Sequence, residues 1–340
     1  VRIDEVMTAF HEGRVLGPRG VVQATGFLVT WKSLLILGDA FVLKMRRPID
    51  VDGENQAGLG ARRVIALRER HVGRRIAPQV YWPDAELSLA DGGGLVLRSG
   101  DADGEPLVAM QRLPDLARLD RVLIEPSVEA GHLFGLMDHL MAFHVDAPVM
   151  RVWQPHAAAE PVTRRWEAAC EALRQAGGAT PFQAAGATQL ETLGPTFARR
   201  VAEGRLRSVH GALALDAIFL APDGRPLGVI DPADGPDSER FIDTAEELAG
   251  LALELRLIRS PAFVAEVIAR YASRAADRTL VRVLGPLMGL VAVLRAGRAL
   301  REAVTEGESA VLRAEMLVEL AAGLVSENDA LGLTERLRGI

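Results

Sequence analysis

Lys44 sits in a short β-prone run, Phe41-Val42-Leu43-Lys44-Met45, where an ammonium group gives up water and calls for an anionic partner. Glu69 follows 25 positions later, in a stretch of helical periodicity. A strand lysine that meets a helix glutamate is suited to holding the phosphates of a nucleotide. Other roles are open to each residue alone: an edge-strand lysine that blocks aggregation, and a solvated glutamate in the charge run Arg68-Glu69-Arg70-His71. A second constellation runs from His210-Gly211-Ala212 through Asp216-Ala217 to Val229-Ile230-Asp231. An aspartate at a strand end is placed to hold a magnesium ion that bridges phosphates. A turn or cap aspartate ahead of Pro232 is the plainer alternative.

The elements that must position these residues fall into two groups. In the first third, strands are expected at Val21–Leu28, Ser33–Leu37 and Phe41–Met45, with Gly38-Asp39 turning between the second and third. One helix, Gly58–Arg75, ends before Pro78, and further strands are expected at Gln79–Trp82, Gly94–Leu97 and Leu107–Gln111. Asp91-Gly92-Gly93-Gly94 reads as a hairpin turn and not a phosphate loop, because no helix follows it.

Beyond Pro114 amphipathic helices dominate: Val128–His144, Thr163–Ala176 and Pro195–Glu203, then 241–257, 261–274, 277–303 and 309–338, the last broken near Ser326-Glu327-Asn328. A strand pair, Ala217–Ala221 and Leu227–Ile230, interrupts them around the turn Pro222-Asp223-Gly224-Arg225. The expected fold class is α+β and bilobal. A small β-rich N-lobe with one helix (residues 1–111) precedes a larger helical C-lobe with an embedded β-hairpin (112–340). A ligand is expected in the cleft between the lobes, beside the seam at Gln111–Leu116.

Composition removes several function classes. The chain has 340 residues, 49% of them apolar and 25% charged, which excludes a disordered or fibrous chain. A net charge of -6 gives no general attraction to nucleic acid or an anionic membrane, so neither is expected as a partner. Cys170, the one cysteine, cannot form an internal disulfide, in keeping with a reducing compartment. The apolar run Val283–Leu294 is too short to span a bilayer, which takes about 20 residues. Val1-Arg2-Ile3-Asp4-Glu5 lacks the run of a signal peptide, and a cytoplasmic location is expected.

Several tempting residues carry less. His139 and His144 are five apart on a helix, a poor spacing for chelation from one face, and His132 adds no close third ligand. Cys170, among Ala168, Ala169, Ala172 and Leu173, reads as a small core residue. The arginines from Arg62 to Arg75 have no interleaved aromatic residues and read as a solvated helix face. Trp153, Trp166 and Phe182 suit an acceptor pocket or a core equally well, and Glu160, Glu167 and Glu171 form no dense acidic cluster for a polycation.

Taken in order, these stretches resemble the kinase-like phosphotransferases of the aminoglycoside phosphotransferase and choline kinase type, in a bacterial branch. The resemblance rests on Gly38-Asp39, Lys44-Met45-Arg46-Arg47-Pro48, Glu69 with Arg74-Arg75-Ile76-Ala77-Pro78, and Met110-Gln111-Arg112-Leu113-Pro114. It continues through Met141-Ala142-Phe143-His144, the His210 loop, Asp231 and Phe241-Ile242-Asp243, and covers roughly residues 25 to 300. It implies a protein-kinase-like fold, nucleotide contacts at Lys44, Glu69 and Gln111, and a metal position at Asp231, with ATP and magnesium as cofactors.

The departures are specific. The family loop reads His-Gly-Asp-x-x-x-x-Asn, whereas this chain has Ala212 where the proton-accepting aspartate belongs and Ala217 where the metal-binding asparagine belongs. A methyl group accepts no proton and ligates no metal. Asp216 is the one neighbour able to substitute as a metal ligand. No glycine-rich loop precedes Lys44; the turn there is Thr30-Trp31-Lys32-Ser33. The leading expectation is a pseudokinase that binds nucleotide and transfers phosphate poorly or not at all. The alternatives are an altered small-molecule phosphotransferase or nucleotidyl transferase using ATP and magnesium, and a cleft repurposed for a non-nucleotide ligand. The acceptor, whether small molecule or protein, is not specified by the residues.

Overall fold

A computed structural model describes residues 2–30, 32–51, 54–90, 94–99, 103–150, 159–235 and 240–326. The chain divides into two units. The first comprises Val1–Arg118, Ala217–Phe219 and Leu227–Pro236, and the second Leu119–Asp216, Leu220–Pro226 and Asp237–Ile340.

The first unit opens with α1 (Ile3–His11), a helix absent from the sequence reading, which expected only one in this lobe. Ile3, Val6, Met7 and Phe10 recur at helical spacing, and Glu5 Oε2 accepts the Arg2 N–H at 3.1 Å to start the first turn. Strands β1 (Val15–Gly17), β2 (Gly20–Val21), β3 (Gly26–Val29), β4 (Ser33–Leu37) and β5 (Phe41–Arg46) follow, then a small hairpin of β6 (Asp50–Val51) and β7 (Glu54–Asn55). After α2 (Leu59–Ile76) come β8 (Ala85–Leu89), β9 (Leu95–Arg98) and β10 (Glu105–Gln111). Eight of these strands form one sheet in the order β2-β1-β9-β8-β10-β5-β4-β3.

Gln79–Trp82 is not a strand. Val80 and Tyr81 N–H groups turn back on the Ala77 carbonyl, leaving a single antiparallel bridge between Tyr81 and Met110. Asp91, Gly92, Gly93 and Trp31 lie outside the described residues; Thr30 and Ser33, flanking Trp31, close their turn through the Thr30 N–H to the Ser33 carbonyl at 2.8 Å.

Strand periodicity decides which side chains of β5 do what. Leu43 and Met45 enter the core with Val6, Phe10, Leu34, Ile36, Leu87 and Leu107. Lys44 and Arg46 take the opposite face, where Glu69 of α2 meets both.

The second unit is mostly helical: α3 (Leu119–Val122), α4 (Phe134–Asp146), α5 (Ala159–Gln175), α6 (Gln183–Thr192) and α7 (Gly194–Ala202) precede β11 (Leu206–Ser208). The sequence reading missed α6, whose Gln-Ala-Ala-Gly-Ala-Thr start has little apolar periodicity. It packs closely on α5 because Gly186 lets the Trp166 ring lie against it; a Cβ there would meet Trp166 Cζ2 at 2.1 Å. Trp166 is fully buried and Phe182 nearly so, their rings 5.9 Å apart, so both belong to the core; Trp153 lies outside the described residues.

The hairpin β12 (Ile218–Leu220) and β13 (Pro226–Val229) follows, then β14 (Phe241–Asp243), which pairs antiparallel with β11. Asp243 caps α8 (Thr244–Ile258) by accepting the Ala245 N–H. Last come α9 (Pro261–Arg274), α10 (Leu280–Glu306) and α11 (Glu308–Ser326), which ends where the described residues end.

The apolar run in α10 is longer than the sequence reading allowed. Leu280–Arg301, with a mean hydropathy of 1.6, is long and apolar enough to cross a membrane, and 78% of its most apolar 18-residue window is buried. The stretch therefore serves as a core helix, against which α5, α8 and α11 pack. Beneath α7, the fully buried Arg200 grips Asp243 through Nε and Nη2, each at 2.7 Å, and Asp277 through Nη1 at 2.7 Å.

Candidate functional site

The first unit gathers Lys44, Glu69 and Asp231 into one cluster. Lys44 Nζ donates to Glu69 Oε1 at 2.9 Å and also pairs with the Asp231 carboxylate. Burial alone would pull the Lys44 ammonium below its ordinary pKa, but Asp231 and Glu69 outweigh it and hold the group charged and above that value.

Three residues that sequence reasoning did not assign complete the cluster. Arg46 Nη2 donates to Glu69 Oε2 at 2.6 Å and pairs with Asp234 as well. Asp231 adopts a left-handed backbone with φ of 60°, a conformation that non-glycine residues seldom hold. Its N–H donates to the Tyr81 hydroxyl at 2.9 Å, which fixes that conformation just before Pro232. The Tyr81 hydroxyl is driven well above its ordinary pKa by burial and by the Glu69 charge, so it is a neutral hydrogen-bonding group. The signals were present: Arg46 is two residues from Lys44 and shares its strand face, and Asp234 follows Asp231 by three.

Gln111 stands apart from this cluster. It is exposed at the end of β10 opposite Phe41, whereas Lys44 pairs with Val108 three positions away on the same ladder. Its N–H is used by the Val80 carbonyl at 2.8 Å.

The second unit holds the loop from His210 to Asp216. His210 is fully buried, Ala212 and Asp216 are exposed, and Asp216 lies in a short 3-10 turn, Leu215–Ala217. Glu247 Oε1 accepts the Gly211 N–H at 2.6 Å, and Glu254 Oε2 accepts the Leu215 N–H at 2.6 Å. His144, whose spacing from His139 is poor for chelation, is buried and takes part in a network: its Nε2 lies 2.5 Å from Glu247 and its Nδ1 lies 2.7 Å from the Tyr271 hydroxyl. Burial would raise the Glu247 carboxyl, but the His144 hydrogen bond, the His144 and His210 rings and the Gly211 N–H hold it below its ordinary range. Burial raises Glu254, with Arg295 acting against it.

The cluster in the first unit suits a nucleotide with a magnesium ion in part. Magnesium is commonly bound by one or two carboxylates plus substrate phosphates. Asp231 offers a carboxylate whose side chain is 64% exposed, and the Lys44 ammonium has three donors, of which Glu69 and Asp231 engage two. Among the described residues no group of three or more His, Cys, Asp or Glu is placed to hold a metal by itself. Ala217, where the family resemblance implies a second metal ligand, has a methyl side chain and supplies no donor.

No protein-family model matches the chain. It is 26% identical over 275 residues to uncharacterized proteins of Mycobacterium tuberculosis and Mycobacterium bovis, covering 78% of this chain and 53% of those proteins. The chain thus spans about half the length of the curated relatives it matches. Among solved structures it is similar to a choline/ethanolamine kinase family protein from Mesorhizobium loti, with a TM-score of 0.54 and 11% identity over 95% of both chains. It is also similar to aminoglycoside 2'-phosphotransferase-IIIa in its GDP complex, with a TM-score of 0.48 and 14% identity over 94% of this chain and 97% of that one. A β-sheet unit that carries a strand lysine and a helix glutamate, with a helical unit after it, is the protein-kinase-like fold of the choline/ethanolamine kinase type, and the chain has that fold.

Proposed function

We propose that the chain is a kinase-like protein that binds a nucleotide with magnesium and transfers phosphate poorly or not at all. The observation that carries this reading is the pairing of a formed Lys44–Glu69–Asp231 cluster with alanine at 212 and 217. Lys44 and Asp231 would hold the phosphates and the metal; the metal, when bound, would neutralise phosphate charge. Loss of a positioned base lowers a rate by about 10²–10⁴, and a missing metal ligand weakens the hold on the phosphates further. The exposed Asp216 is the residue of this loop able to offer a replacement metal ligand.

The test has two arms. Thermal unfolding with magnesium and a non-hydrolysable ATP analogue at about 100 times the dissociation constant should show about 2.7 kcal/mol of stabilisation, lost in Lys44→Met and in Asp231→Ala. Absence of a shift with any nucleotide favours a cleft used for another ligand. Phosphate transfer is then measured over a panel of small hydroxyl acceptors. Turnover of about one per second or faster, the usual enzyme range, overturns the poor-transfer reading in favour of an altered phosphotransferase.

A further inference from the structure

The loop from His210 to Asp216 is fastened far more firmly than a connecting segment requires. Glu247 and Glu254 are seven residues apart on α8, two turns, and so share one face of it. Glu247 accepts the Gly211 N–H near the start of the loop, and Glu254 accepts the Leu215 N–H near its end, both at 2.6 Å. Arg295 of α10 donates Nη1 to the other oxygen of Glu254 at 2.6 Å and Nη2 to the Leu213 carbonyl at 3.1 Å. Glu247 is steadied in turn by the buried His144. These are charge-assisted bonds, the strong class, and they act on backbone atoms on both sides of the exposed Ala212.

Such a scaffold fixes where a side chain at position 212 would stand, although alanine there uses none of that precision. We propose that Glu247, Glu254 and Arg295 are positioning residues that hold the loop backbone ready for phosphoryl transfer, so that the defect resides in the side chains at 212 and 217 and is reversible. The proposal rests on the nucleotide-binding reading for its activity arm only. In an Ala212→Asp variant the acceptor hydroxyl gives its proton to the new carboxylate, its oxygen bonds the phosphorus, and the bond to the departing nucleoside diphosphate breaks.

Two measurements decide it. In amide hydrogen exchange on the unmodified chain, Gly211 and Leu215 should be protected, with exchange about tenfold to a hundredfold faster at Gly211 in Glu247→Ala and at Leu215 in Glu254→Ala. Glu254→Gln, which keeps an acceptor oxygen, should preserve the Leu215 protection. Unprotected amides in the parent, or protection indifferent to both alanine variants, overturns the proposal without touching nucleotide binding. In the second measurement, phosphate release from magnesium-ATP with water as acceptor should rise about 10²-fold or more in Ala212→Asp/Ala217→Asn. Adding Glu254→Ala should remove that gain, and Glu254→Gln should retain most of it. A double variant that shows the ATP-dependent thermal shift, keeps its loop protected and gains no turnover also overturns the proposal. A parent that shows no thermal shift with nucleotide overturns the nucleotide reading instead, and the exchange results still decide the positioning role.

Discussion

Arg46 Nη2 donates to Glu69 Oε2 at 2.6 Å, while the other oxygen of that carboxylate serves Lys44, so one buried glutamate carries two buried cations. Removing Glu69 therefore leaves Lys44 with Asp231 alone and Arg46 with Asp234 alone, whereas removing Lys44 leaves Arg46 both of its carboxylates. Glu69→Ala should cost about 3–5 kcal/mol in chemical denaturation, and Lys44→Met distinctly less. Equal losses would show that the arginine does not share the glutamate.

Acid should weaken the second unit through Asp277 and Glu247. Burial acts to raise the Asp277 carboxyl, but the Arg200 guanidinium outweighs it and leaves the group below its ordinary value. Glu247 is held low by His144 against the same effect of burial. A depressed folded value means that the stabilisation is complete above the ordinary carboxylate range, near pH 4, and is lost as pH falls through the folded value. Stability measured by denaturant from pH 7 to pH 3 should drop over the acid end, and Asp277→Asn should be less stable at pH 7 with a shallower acid slope. An unchanged slope would remove Asp277 from the account.

Cys170 is fully buried, and burial pushes its thiol up to about 11, with Arg174 pulling weakly the other way. The thiolate is the reactive form. A thiol reagent at pH 7.5 should leave the native protein unlabelled for hours and modify it within minutes in denaturant. Rapid labelling of the native protein would contradict the packing around α5.

Gly73 gives a route to Asp231 from inside α2. A Cβ at this glycine would meet the Tyr81 ring at 2.3 Å, and the hydroxyl of that ring accepts the Asp231 N–H. Gly73→Ala should cost about 1–3 kcal/mol by overpacking and, on the proposed nucleotide-binding reading, weaken that binding as well. Tyr81→Phe removes the hydroxyl and spares the packing, so it should affect binding more than stability. A calorimetric titration of both variants separates the two effects; intact binding in Tyr81→Phe would show that the tyrosine does not set Asp231.

The triplet of Lys44, Glu69 and Asp231 was legible because Lys44 is out of keeping with its apolar strand and because the three stand in the order of the motifs that carry the family resemblance. Their supporting partners were harder to see. Nothing in the sequence alone marks Arg46 and Asp234 as partners; the fold brings them together. Glu247 and Glu254 sit in a helix whose acidic residues suggest solvent exposure, yet ten successive residues of it, Thr244–Leu253, are buried. His144 of α4 engages Glu247 and Arg295 of α10 engages Glu254 beside the loop they hold. The same lesson applies to α1, whose apolar spacing was plain but whose position at the chain start drew attention to leader sequences instead. Gln79–Trp82 shows the reverse: a β-prone stretch in which the Val80 and Tyr81 N–H groups are claimed by a turn.

The first unit is discontinuous along the polypeptide, and Lys44 is separated by 187 positions from the aspartate that neutralises it. At a synthesis speed of roughly 5–20 residues per second, the ribosome would release Lys44 some 10–40 s before that counter-charge emerges. During this interval the nascent unit holds two cations on β5 with a single carboxylate between them. Vectorial production therefore leaves the amino-terminal half waiting on the carboxy-terminal half, and a fragment truncated after Arg118 would carry that imbalance permanently.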